Sequence, residues 1–100
     1  MRFDSGTTDV GTAGTEVQIS NTNDRVKAID VRGRPSNTGN VFLGVSDVTG
    51  VSDVTATNGW TLQPGESISI TFGEGSAKFA DFWVDAATSG DDVDWAVVLL

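Results

Sequence analysis

The chain has no cysteine and no histidine. Disulfides, thiolate nucleophiles and thiolate metal sites are excluded, and so is the imidazole that most often serves as a general base. Lysine is almost as scarce, with Lys27 and Lys78 the two in 100 residues, and neither lies in a recognisable motif. A serine or threonine nucleophile would have these amines or a carboxylate as its base and nothing else. The chain is therefore read as no enzyme, with no cofactor. Long apolar runs are also missing. No stretch approaches the roughly 18 apolar residues of a membrane-spanning helix, and residues 1–10 hold one Arg and no apolar run, unlike a signal peptide. The expectation is a soluble, unprocessed chain without a membrane partner.

Positive charge is in short supply as well. Fourteen acids face six bases, for a net charge of −8. A surface of that sign repels nucleic acid, which is not expected as a partner. Eleven of the acids are Asp and three are Glu, a skew that disfavours helices because the short Asp side chain competes for backbone hydrogen bonds. The same composition suits concentrated salt, in which mutual repulsion is screened, and it predicts stability that rises with ionic strength.

What is present is enough for one packed domain, with 38% hydrophobic residues in 100 positions. Short runs rich in Val, Ile, Phe, Trp and Thr recur from Thr15 onward, separated by Gly, Asn, Asp and Pro. This spacing predicts an all-β fold, a small antiparallel β-sandwich or barrel of jelly-roll-like form with six to eight short strands and little or no helix. Strands are expected near 15–20, 26–33, 40–46, 67–72, 79–86 and 93–100, with a shorter one at 58–62. Residues 1–14 hold scattered apolar groups among Gly and Thr and are read as a flexible N-terminal arm, leaving 15–100 as the domain. Both prolines fall at reversals. Pro35-Ser36-Asn37-Thr38-Gly39 should turn the chain, and Gln63-Pro64-Gly65-Glu66 has the pattern of a type II turn. The hexamer 45–50 is nearly repeated at 51–56, a length far below that of a solenoid, so 47–58 is expected to be the longest loop.

Alternation assigns faces. Ile68, Ile70 and Phe72 should point into the core, as should Val41, Leu43 and Val45, which leaves Phe42 on the outside. In 79–86 the core set would be Ala80, Phe82, Val84 and Ala86, with Phe79, Asp81, Trp83 and Asp85 outward. The last run is apolar on both faces, Trp95, Val97 and Leu99 against Ala96, Val98 and Leu100. A sandwich buries one face of each strand, so the second calls for another subunit. Arg2, Phe3, Phe42, Trp60, Phe79, Trp83, Trp95, Val97 and Leu99 are accordingly the candidate interface residues.

Two charged clusters stand out. Residues 24–34 hold Arg25, Lys27, Arg32 and Arg34 against two acids, whereas the rest of the chain has two bases against twelve acids. Such a basic patch on an acidic body is a device for docking in register. Asp91, Asp92 and Asp94 put three carboxylates within four residues, a set that suits a hard cation but lacks the fixed spacing of a calcium loop. An ordinary acidic turn is the preferred reading, with no metal. Asp81 and Asp85 on one strand face are read as solvating groups beside Trp83 rather than as a glycosidase pair.

The order Asn37-Thr38-Gly39, Val41 to Gly44, Asp53-Val54-Thr55, Asn58-Gly59-Trp60 and Leu62-Gln63-Pro64-Gly65-Glu66, closed by Trp95-Ala96-Val97-Val98, resembles small virion proteins of tailed phages and tailed archaeal viruses. That resemblance implies a compact β-sandwich, commonly a homotrimer, that decorates or cements a shell of a viral major capsid protein on its surface. The extra Val-Ser-Asp-Val-Thr-Gly copy departs from the pattern. A carbohydrate-binding module or a receptor-binding turret component, using Trp60 and Trp83 as platforms, is the other class the sequence leaves open.

Overall fold

The computed structural model describes residues 2–44, 59–73 and 77–100. The near-repeat and the loop expected at 47–58 lie outside the described residues. The described residues form nine strands: β1 (Arg2–Asp9), β2 (Val17–Gln18), β3 (Arg25–Gly33), β4 (Val41–Gly44), β5 (Trp60–Leu62), β6 (Ser67–Thr71), β7 (Ala77–Lys78), β8 (Trp83–Ala86) and β9 (Asp92–Leu99). A 3-10 turn spans Phe79–Asp81.

The strands form two antiparallel sheets. One runs β1-β9-β3-β6, with the two-residue β7 also on β3, and the other runs β2-β8-β4-β5. Leaving β7 aside, first pairs with last, second with second-last, third with sixth, and fourth with fifth. This is a hairpin rolled up into a sandwich, the jelly-roll arrangement. The expected fold class is therefore the observed one, with nine strands among the described residues rather than six to eight.

Alternation accounts for the core. Val26, Ile29 and Val31 of β3 face Val41, Leu43, Val84 and Ala86 of the opposite sheet, and Val93, Val97 and Leu99 of β9 complete the layer. A bulge at Lys27, between Val26 and Ala28, shifts the register against β9 and keeps Val26 and Ile29 on the same side. Both reversals the sequence announces are closed by a backbone hydrogen bond, Asn37 N donating to Arg34 O and Glu66 N to Gln63 O, each at 2.9 Å. Gly65 takes φ +84°, as the type II pattern requires. Gly33 lies so close to the Gln63 carbonyl that a Cβ would stand 2.7 Å from it.

The N-terminal boundary needs correction. Residues 2–9 are not an arm but the edge strand β1, paired with β9 at every position from Arg2↔Leu99 to Asp9↔Asp92. Its sequence carries few apolar groups because its neighbour supplies them. The Trp95 ring spreads over Gly6, where a Cβ would come within 2.6 Å of Cζ2, and the indole N–H donates to Thr8 Oγ1 at 3.1 Å. Val10, just past the strand, is fully buried.

The run 79–86 is not one strand either. The 3-10 turn at its start rotates Phe79 inward, to pack edge-on against Trp95 at 5.1 Å between centroids. Its backbone is held by Phe79 N donating to Asp24 O and Ala80 N donating to Thr22 O.

Candidate interaction surfaces

Three large apolar side chains are exposed among the described residues: Phe3 at 70%, Trp60 at 63% and Leu100 at 53%. Their placement follows from the register. Phe3 stands opposite Val98, which stands opposite Ala28, which stands opposite Thr71. Phe3 therefore lies on the outer face of the first sheet at its β1 edge, beside a shallow depression that includes Ala28, Ala96 and Val98. Leu100, two residues on from Val98, belongs to the same corner, and its N–H donates to Arg25 O.

Trp60 belongs to the opposite side of the molecule. There β6, the edge of the first sheet, stands across from β4 and β5, the edge of the second, with a gap between them among the described residues. The gap is a groove of about 360 Å³, lined by Leu43, Trp60, Ile68, Ile70, Phe72 and Phe82, with Asp81 the single ionisable residue of its wall among the described residues. Ile68, Ile70 and Phe72 point inward as alternation demands and are half-buried.

Several expected interface residues are inside the fold. Phe42 is fully buried, in register with Asp85 on the outer side of its own sheet. Asp85 is fully buried beside it and accepts from the Gly14 and Ala86 backbone amides at 3.0 and 2.8 Å. The chain after β1 thus folds over this face, and neither Phe42 nor Asp85 is the solvent-facing residue that alternation suggested. Phe79, Val97 and Leu99 are core residues. On β9 the core takes the Trp95, Val97 and Leu99 face, and the outer set is Ala96 and Val98, the reverse of the sequence-based assignment. Trp95 is partly buried against the core, and Trp83 is half-buried in register with Gln18 and Gly44. Arg2 stays exposed at the β1 edge, paired with Asp24 at 2.7 Å.

The expected basic patch is neutralised at one end. Arg32 meets Asp94 at 2.7 Å, and Arg34 meets Asp92 at 3.4 Å and Asp94 at 4.0 Å. Arg25 and Lys27 lie further along β3, exposed. The pairing also disperses the acidic trio. Asp91 is buried and accepts from the Thr38 and Gly39 amides at 3.0 and 2.9 Å, so it brackets the loop after β3. Asp92 and Asp94 point to the outer face instead. No group of three or more metal-ligating side chains occurs among the described residues.

Electrostatics differ between those two acids. The Asp92 pKa is raised, first by burial and then by the hydrogen bond and like charge of its cross-strand neighbour Asp9, which together outweigh Arg34. For Asp94, burial alone would raise the value, but hydrogen bonds from Arg32 and Thr7, with the charges of Arg32 and Arg34, hold it below the usual range. One carboxylate is crowded and the next, two residues on, is satisfied.

No protein-family model matches the chain, and no curated protein matches it. Among solved structures, a chain in the X-ray structure of tomato aspermy virus is similar, with a TM-score of 0.50, 10% identity and coverage of 96% of this chain and 75% of that one. At such identity the likeness is one of fold.

Proposed function

We propose that this chain is a structural virion protein, a decoration or cement protein that assembles as a homotrimer and binds the outside of a shell of viral major capsid protein. The observation that carries the reading is the exposure of Phe3 and Trp60 on opposite sides of a jelly roll. Large aromatic side chains left in water on so small a domain are typical of surfaces that become covered on assembly. The fold agrees, since jelly rolls recur in capsid proteins, and the tomato aspermy virus chain is an example of that likeness. Fold alone does not assign a role, so weight rests on the exposed side chains.

The sugar-binding alternative is less favoured. Trp60 is available as a platform, but among the described residues the groove beside it presents one ionisable side chain, Asp81, and otherwise aliphatic and aromatic carbon. A glycan needs several convergent polar partners in addition to a stacking ring.

Purified particles from the source of the gene provide the test. Particles stripped of accessory proteins and incubated with the recombinant chain should bind it saturably, at a fixed ratio to the major capsid protein. Absence of binding, or binding that rises without a plateau, overturns the reading. Recovery on a glycan array instead supports the alternative.

A further inference from the structure

We propose that the outer face of the first sheet pairs with the same face of a second copy about a two-fold axis, Lys27 of each copy meeting Asp30 of the other and each Phe3 ring lying over the other's depression. No two copies within a closed trimer are related by a two-fold, so the pairing goes beyond the proposed function and joins copies of different trimers.

The face is built by strands that lie wholly in the described residues. Two neighbouring rungs cross it, Phe3–Val98–Ala28 and Ser5–Ala96–Asp30. Apart from Phe3, 70% exposed, their side chains are small or short. Such a surface lets a second sheet lie flat against the first. Beside Phe3 it is hollowed into the shallow depression of Ala28, Ala96 and Val98, so that a projecting ring and an apolar hollow sit side by side.

Charge identifies the occupant. The bulge in β3 turns Lys27 and Ala28 outward in succession between buried Val26 and Ile29, which leaves Lys27 and Asp30 exposed on the same side of the strand. Neither forms an ion pair within its own chain, whereas Arg32 and Arg34 further along are paired with Asp94 and Asp92. Lys27 stands just before the first rung and Asp30 on the second, on opposite sides of a line that crosses the strands between the rungs. A two-fold axis along that line reverses β3 and sets the amine of each copy against the carboxylate of the other, twice per pair. Opposite charges balanced about one line make a face complementary to itself, which is the reason that the occupant is a second copy of this chain. The same rotation carries each Phe3 from the first rung toward the second, over the hollow of its partner.

Charge reversal permits a decisive mixing experiment. Sedimentation of the full chain from micromolar to millimolar concentration should show a species with an even number of copies. Lys27→Glu and Asp30→Lys should each halve that mass, because two like-charge contacts raise the dissociation constant by about 100-fold or more. An equimolar mixture of the two variants restores both attractions and should regain the wild-type mass, as should the double variant. Phe3→Ala should weaken pairing by about tenfold or more. If a reversal melts early, Lys27→Ala and Asp30→Ala take its place and should each weaken pairing. A wild type with an odd number of copies, a mixture that stays at half the mass, or variants that pair like the parent overturn the inference. A chain that does not pair yet saturates stripped particles leaves the virion reading intact, and a chain that pairs but ignores them overturns that reading alone.

Discussion

The two edges of the first sheet make opposite impressions in the sequence and meet opposite fates in the fold. β6, Ser-Ile-Ser-Ile-Thr, alternates cleanly, yet Ile68 and Ile70 end up half-buried at the margin of an open groove. β1, Arg-Phe-Asp-Ser-Gly-Thr-Thr-Asp, has one large apolar side chain, which faces outward, yet it is paired along its whole length and lies under Trp95. Periodicity reports which face of a strand is apolar. It does not report what the opposite sheet brings to cover that face, nor whether a neighbouring strand supplies the packing atoms.

Removal of residues 1–9 is the harshest test of this contrast. The deletion strips eight rungs from β9 and uncovers Trp95, so cooperative thermal unfolding should be lost or the melting temperature should fall by tens of degrees, a change comparable with the whole stability of a small domain, about 5–15 kcal/mol. A truncated chain that melts like the parent would restore the idea of a dispensable arm. Less drastic is a pair of alanine substitutions, one on each side. Leu99→Ala, at a fully buried site beside β1, should destabilise by about 2–5 kcal/mol, and Ile70→Ala, on the groove, by clearly less. Equal losses in denaturant titrations would show that the groove is filled in the isolated chain.

Asp91→Ala comes next, because two loop amides lose their acceptor. The expected loss is about 1–3 kcal/mol, unaffected by chelator, since the carboxylate is engaged by backbone. A melting temperature that drops on addition of EDTA to the unmodified chain would return this acid to the list of cation ligands.

The smallest effects concern Asp92 and Asp94. A carboxylate with a raised folded pKa favours the native state below its ordinary range and loses that contribution as pH rises through the folded value. Asp9→Asn should accordingly stabilise the protein at neutral pH and make no difference at about pH 2. Asp94, held low by Arg32, contributes above the ordinary range and loses its contribution as pH falls. Asp94→Asn should destabilise at neutral pH and converge with the parent in acid. Both pairs are solvent-accessible, so each shift is limited to about 1 kcal/mol, and 1 M salt should reduce it.

Much of the architecture was legible in the residues. Runs rich in β-branched and aromatic residues located β3, β6 and β9, period-two alternation assigned the inward face of β6, and Gly65 after Pro64 marked a reversal with positive φ. These features depend on neighbours in sequence, through backbone sterics and the two-fold pleat, and local physics is enough to specify them. The missing histidine and cysteine likewise removed whole classes of chemistry before any fold was known.

The surface was decided elsewhere. Phe42 and Phe3 are both isolated aromatics in strands, and nothing local distinguishes the buried one from the one that is 70% exposed. Phe42 is covered because its sheet face is enclosed in the folded chain, and Phe3 is bare because β1 is an edge strand whose outer face meets solvent. The four cations of 24–34 read as a patch in one dimension. The sheet order sets β9 alongside β3, so Asp92 and Asp94 come within reach of Arg34 and Arg32 from 58 and 62 residues away. Composition and alternation act over a few residues, whereas exposure and ion pairing depend on which strands the rolled hairpin places side by side, and that is a property of the tertiary structure alone.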